Sequence, residues 1–239
     1  MIRSTRHHER VGRTGGRGQG FTLVELLVTV AVVALLIGLL VPAMGAVRRS
    51  SLETKCLSNL RQMAIALHSY LNTSDEQFPI SSHTTGQVSR PDAWLQSLSS
   101  HGFDGAVRRC PADPYAEERP TSYAINTYFE PLVAGIDFDP FTSQLLPGGR
   151  TSAVSRLPQI PAPAKTFWAM ETEGAGLIDH IHSVGWTSAA EIKAALAVLR
   201  HGEGSNVLFA DGHVAGVTWM RMEIDFNEGR NPFNPETPY

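Results

Sequence analysis

The chain has 239 residues, of which roughly the first fifty do not read as globular sequence, leaving a single body of modest size beyond them. Its formal net charge of −3 is unevenly placed, because Arg3, Arg6, Arg10, Arg13 and Arg17 face a single acid, Glu9, a local +4 that leaves −7 for the rest. No broad basic face remains for a phosphate backbone, and the charge therefore argues against a nucleic-acid partner.

The basic leader ends at Gly20 and is followed at 21–47 by FTLVELLVTVAVVALLIGLLVPAMGAV, in which Glu25 is the sole charge. As a helix the uncharged stretch 26–47 spans about 33 Å, against about 30 Å for a bilayer core, so it can cross a membrane once. The leader's arginines outnumber Arg48 and Arg49 on the far flank, which predicts a cytoplasmic N-terminus and an extracytoplasmic remainder on the cytoplasmic (inner) membrane. In an ordinary secretory signal the small-residue cleavage site follows the apolar core. Here the small residue, Gly20, precedes it, so cleavage need not remove the anchor. No cysteine follows the leader to carry a lipid, and the twin arginines, Arg48-Arg49 and Arg108-Arg109, both lie on the wrong side of the run.

A carboxylate among apolar side chains costs a few kcal/mol, about 2.5–3.5 at a helix centre, so Glu25 needs a partner or must snorkel at the cytoplasmic edge. Pro42 removes a backbone donor and clashes with the preceding turn, which predicts a bend or loosening without ending the helix.

Beyond Val47 the pattern becomes amphipathic. Leu52, Cys56, Leu60, Met63, Leu67 and Leu71 form one apolar stripe, with Arg48, Glu53, Lys55 and Arg61 between them, and the stripe stops in the polar run 72–76. The expected fold is α+β: one long N-terminal helix, apolar in its first half and amphipathic in its second, packed on a small antiparallel sheet. Prolines and glycines interrupt residues 80–164, where a short helix at 93–98 and a strand within 122–129 are expected, and 136–163 reads as a surface excursion. KTFWAME at 165–171 predicts a buried strand. Ser188 with Glu191 makes a capping box that opens a helix through Arg200, with Ile192, Ala195, Leu196 and Leu199 inward. Residues 206–210 and 213–219 flank Asp211-Gly212, a hairpin pattern with a type I′ turn. The tail 227–239 is polar and rich in proline, so fraying is expected. The chain thus divides into a leader (1–20), a membrane or filament-core helix (21–47), an amphipathic extension (48–72), a body (73–226) and a tail.

Cys56 and Cys110 both lie beyond the apolar segment, where an oxidising compartment would permit a disulfide; two unpaired, partly buried thiols are equally compatible with their spacing.

The residues Gly20, Phe21, Thr22, Leu23, Val24 and Glu25 resemble the GFTLVE motif of type IV prepilins and type II secretion pseudopilins. That resemblance implies cleavage between Gly20 and Phe21 by a prepilin peptidase and N-methylation of Phe21. It also gives Glu25 an assembly role, opposite the N-terminus of a neighbouring subunit, and places Pro42 where many members keep a kinking proline. The implied partners are other pilin-like subunits through the N-terminal helix, an inner-membrane assembly platform and the bilayer; no cofactor is implied.

A second resemblance rests on RHGEGSNVLFADGHV, in which nine residues separate His201 from Asp211-Gly212. It rests also on CLSNLRQMAIALHSYLNTSDEQFP at 56–79, on CPAD at 110–113 and on Thr121-Ser122-Tyr123. These are similar to a large group of pilin-like proteins abundant in planctomycete-type bacteria, with CPAD standing where that group commonly has CPSD.

His201, Asp211 and His213 form a possible set of metal ligands. The turn, however, explains Asp211, and a packed hairpin accounts for all three more simply. The tail offers only Asp225, Asn227 and Glu228 toward a hard cation. His180 and His182, near Glu171, Glu173 and Asp179, are the best raw material for acid-base chemistry. The chain has no Gly-x-Ser-x-Gly elbow, P-loop or dinucleotide fingerprint, so no enzyme is expected. The expected function is a structural subunit of a pseudopilus or pilus, the alternative a membrane-tethered extracytoplasmic binding module that does not polymerise.

Overall fold

The computed structural model describes residues 20–81, 93–130, 137, 142, 144–147, 149, 152–174 and 179–236. The leader before Gly20 and part of the 136–163 excursion lie outside these residues. The chain separates into two compact units, residues 1–45 and 46–239.

Within the first unit the helix α1 (Leu23–Thr73) begins, and it continues through Pro42. Every residue from 20 to 51 is exposed. From Leu26 to Val47 apolar side chains cover the helix on all sides, leaving it without a charged face.

In the second unit α1 becomes amphipathic, as its stripe predicts. Cys56, Leu60, Met63, Ala64, Ala66, Leu67 and Leu71 are buried, whereas Leu52 is only partly covered. The polar run 72–76 stops the helix: Asp75 and Glu76 take positive φ angles of 53° and 58°, and the Glu76 N–H bonds back to the Leu71 carbonyl.

Among the described residues five strands follow, β1 (Tyr123–Asn126), β2 (Phe167–Glu171), β3 (His180–Ile181), β4 (Gly204–Phe209) and β5 (Val214–Thr218), in the order β3-β1-β2-β4-β5. Three pairings are antiparallel, but β3 runs parallel to β1, so the sheet is mixed where an antiparallel one was expected. A two-residue strand carries too little pattern to be read from sequence.

The sheet separates two apolar layers. On one side Tyr123, Ile125, Trp168, Ala169 and Leu208 pack with the α1 stripe and with Trp94, Leu95 and Leu98 of α2 (Ala93–Ser99). On the other, Ala124, Phe167, Met170, Val207 and Phe209 pack with Ile192 of α3 (Ala189–Ala195), Met222 of α4 (Trp219–Asn227) and Phe233.

Strict alternation fails once, in β2. Phe167 pairs with Phe209 and Ala169 with Leu208, so two steps on β2 match one on β4 and Trp168 is the extra residue of a β-bulge. The bulge inverts the facing of everything after it. Glu171, paired opposite Tyr123, is thereby turned to the α1 side of the sheet, where regular alternation from Phe167 would send it to the other.

Three local expectations are corrected. First, α3 opens with the predicted Ser188/Glu191 capping box but ends at Ala195. Leu196, Ala197 and Val198 are buried in succession, a run that a 3.6-residue period cannot bury; instead Leu196 bridges Thr172 and the Ala197 N–H bonds to the Glu171 carbonyl, leaving Leu199 46% exposed. Second, the β4-β5 connection is not type I′, because Gly212 has a positive φ (89°) and Asp211 does not. The Gly212 N–H bonds to the Phe209 carbonyl, and the Phe209 N–H to that of His213, which makes a three-residue loop with a left-handed glycine at its end. Third, the tail is docked through residue 236 rather than frayed. Phe233 is fully buried between Phe167 and Trp186, and the Phe167 N–H bonds to the Pro232 carbonyl at 2.7 Å.

Candidate functional site

At the N-terminus, Gly20 and Phe21 precede the helix in non-helical backbone, and Phe21 is 78% exposed. Gly20 has no positive φ, and a Cβ placed on it would meet nothing within 4 Å. Local folding therefore does not require glycine there. Thr22 caps α1: its Oγ1 accepts from the Glu25 N–H at 3.2 Å, while the Glu25 carboxylate accepts from the Thr22 N–H at 2.9 Å and from its hydroxyl at 2.8 Å. This reciprocal capping box satisfies the carboxylate inside its own chain. Thr29, further along, donates its hydroxyl to the Leu26 carbonyl at 2.8 Å. The side chains of Thr22, Glu25 and Thr29 thus find partners within their own segment.

In the body, Cys56, Cys110, Asp113, Glu171 and His201 come together in one buried cluster. Cys56 on α1 and Cys110 are joined by a disulfide, with Cα atoms 4.9 Å apart. Three residues on, Asp113 has a fully buried side chain and is held by Arg119, which donates from Nε at 2.9 Å and also from Nη2. Ser122 Oγ donates to it at 2.5 Å, and Arg200 lies at 3.4 Å. Burial alone would raise the pKa of Asp113, but the hydrogen bonds from Ser122 and Arg119, the charge of Arg200 and the Tyr115 N–H outweigh it and hold the carboxyl below its ordinary value. Both arginines also donate to the Thr172 carbonyl, Arg119 at 3.0 Å and Arg200 at 2.6 Å, which ties the CPAD loop to the end of β2.

Next to this ion cluster lies Glu171, fully buried. Its Oε1 is 2.9 Å from His201 Nε2, and its Oε2 accepts from Ser205 Oγ at 2.9 Å. His201 Nε2 is also 3.9 Å from the Cys110 sulfur. Burial, then the neighbouring Glu171 carboxylate, pushes the Tyr123 phenol far above its usual range.

The spacing of His201 to Asp211-Gly212 is the length of β4 with its approaches. At one end of the strand His201 meets Glu171 beside the disulfide. At the other, the Asp211 carbonyl is 2.9 Å from Nε2 of His68, a residue of α1. β4 is thus tied to α1 directly at its Asp211 end, through His68, while at its His201 end it lies beside Cys110, which the disulfide joins to α1.

His201, Asp211 and His213 do not assemble as one metal site. The potential ligands grouped with His201 are Cys56, Cys110 and Glu171, whereas Asp211 Oδ1 accepts from the His213 N–H (3.1 Å) and meets its ring Nδ1 (2.6 Å) at the turn. Asp225 is occupied as well, paired with Arg221 and Arg230. The histidines of 180–182 are separated from Glu171: His180 pairs with Asp179 at 2.6 Å and approaches His182 at 3.3 Å. Sequence reasoning did not single out Asn59, His68, Arg119, Arg200 and Ser205. For two of them a signal existed: Asn59 and His68 are polar residues flanking the apolar stripe, and Asn59 Nδ2 donates to the Arg109 carbonyl at 2.8 Å.

Residues 17–41 match the Prokaryotic N-terminal methylation motif. The chain is similar to the type II secretion system core protein G of Pectobacterium carotovorum subsp. carotovorum, 25% identical over 45% of this chain and 68% of that protein. It is similar also to the protein of the same name from Dickeya chrysanthemi, 24% identical over 43% of this chain and 66% of that one. No solved structure matches. The chain thus carries a methylation motif at the start of an exposed apolar helix, followed by a small mixed sheet, an arrangement consistent with a pilin-like fold, and is similar over less than half its length to secretion-system core proteins.

Proposed function

We propose that this chain is a non-enzymatic pilin-like subunit, made as a precursor and cut between Gly20 and Phe21 by a prepilin peptidase, with methylation of the new Phe21 amine. The anchor helix then holds it in the cytoplasmic membrane with the body outside. Through that helix it packs with other pilin-like subunits, on an inner-membrane platform, into a pseudopilus or pilus of a type II secretion-like system. One observation carries this reading: the matched motif opens a helix whose residues 20–51 are all exposed and mostly apolar, a surface that must be covered by lipid or by neighbouring helices. That Gly20 is free of any local folding demand supports recognition by a processing enzyme as the reason for it.

Filament incorporation is tested by Glu25→Ala in cells, following membrane insertion by fractionation and self-association by cysteine cross-linking along the anchor. A chain that inserts normally but loses cross-linked multimers supports the subunit. A parent chain that itself gives no cross-linked multimers favours a tethered module that does not polymerise, and a Glu25→Ala chain that cross-links as its parent does removes Glu25 from the assembly role.

A further inference from the structure

The disulfide stands in surroundings that a disulfide does not need. Cys56, Cys110 and Glu171 are fully buried and the His201 side chain is 3% exposed, yet each offers a metal-ligating atom and all four atoms lie within 4.8 Å of one another. A tetrahedral zinc site, with bonds of about 2.0–2.3 Å, places its ligand atoms about 3.3–3.8 Å apart. The observed Nε2 to Oε1 and Nε2 to Sγ separations of 2.9 and 3.9 Å bracket that range.

The carboxylate is aimed there by construction. The bulge at Trp168 turns Glu171 toward the sulfurs, and its second oxygen is fixed by Ser205 and by the Asn206 N–H at 3.4 Å, the kind of outer support that orients a ligating carboxylate. His201 lines two surface clefts, one with Arg49, Leu52 and Ala112 and the other with Gly204 and Val217, so the cluster has a route to solvent.

We propose that, whenever Cys56 and Cys110 are thiols, these two sulfurs with Glu171 and His201 form a closed site for a divalent transition metal such as zinc, so that metal binding and disulfide formation compete for the same atoms. The disulfide opens by exchange with two external thiols, which become a disulfide as Cys56 and Cys110 take up two electrons and two protons. The metal ion then displaces both protons from the sulfurs. A chain that has not yet been oxidised reaches the same site directly, without the exchange.

The test uses full-length chain in detergent with cobalt(II) as the probe and zinc as competitor. Reduced, desalted protein is expected to bind one cobalt, with thiolate-to-cobalt charge-transfer and tetrahedral visible bands that zinc abolishes; oxidised protein is expected to show neither band. Glu171→Gln and His201→Gln, with thiol titration showing both sulfurs free, are expected to weaken binding about ten-fold or more, and Ser205→Ala, which leaves all four ligands, about ten-fold. Absence of the bands in reduced parent protein would overturn the site. So would Glu171→Gln and His201→Gln variants that bind as tightly as the parent, or a reduced chain that loses its circular dichroism and does not regain it with metal.

Discussion

Gly212 lies directly against His68: a Cβ added at Gly212 would stand 2.0 Å from the imidazole Nε2 that contacts the Asp211 carbonyl. Gly212→Ala therefore meets two penalties, about 1–2 kcal/mol for a left-handed backbone and about 1–3 for crowding. His68→Ala alone should cost about 1 kcal/mol for the lost contact. Denaturant unfolding of the double variant is expected to fall short of the sum, because removing the ring relieves the clash and leaves only the backbone strain. Additive losses would mean that the helix does not touch the turn.

The Asp113 cluster predicts a large structural loss. Arg119→Met leaves a fully buried carboxylate with a weakened set of donors, and removing one member of a buried pair costs about 3–5 kcal/mol. Unfolding followed by tryptophan fluorescence should report it, since Trp94 and Trp168 are both fully buried in the core beside α1.

The same carboxylate sets an acid limit. Its folded pKa lies below its unfolded one, near 3.9 for a free aspartate, so its contribution is present above the unfolded value and disappears as pH falls through the folded one. Stability measured by denaturant midpoint should decline below about pH 4. Asp113→Asn should be less stable at neutral pH and lose less on acidification.

The disulfide closes a loop across 54 positions, for which chain entropy gives about 4 kcal/mol. The double variant Cys56→Ser with Cys110→Ser should lose about that much in metal-free buffer, read as a shifted unfolding midpoint.

Much of this architecture is legible in the sequence where a single period governs. The stripe from Cys56 to Leu71, the strand at Phe167 and the hairpin around Gly212 follow from spacing alone. The features that escaped depend on distant partners. The end of α3 is decided by β2, which takes Leu196 and Ala197 into pairing with Thr172 and Glu171. The turn type is decided between two loops that Asp-Gly fits equally well. Glu171 reads as a neighbour of His180 and His182 until the bulge reverses its facing and brings it to His201, and the tail reads as polar until Phe233 finds Phe167 and Trp186. In the anchor, the motif is plain in sequence, but the capping box between Thr22 and Glu25 was not foreseen, although Thr-x-x-Glu is its pattern.

The central claim concerns where the mature chain begins, and intact mass with N-terminal fragmentation of the protein recovered from membranes tests it most directly. The account predicts a chain starting at Phe21, one methyl group heavier than the unmodified sequence, with the apolar helix retained. A chain that still begins at Met1, or one cut after the apolar run, would contradict it.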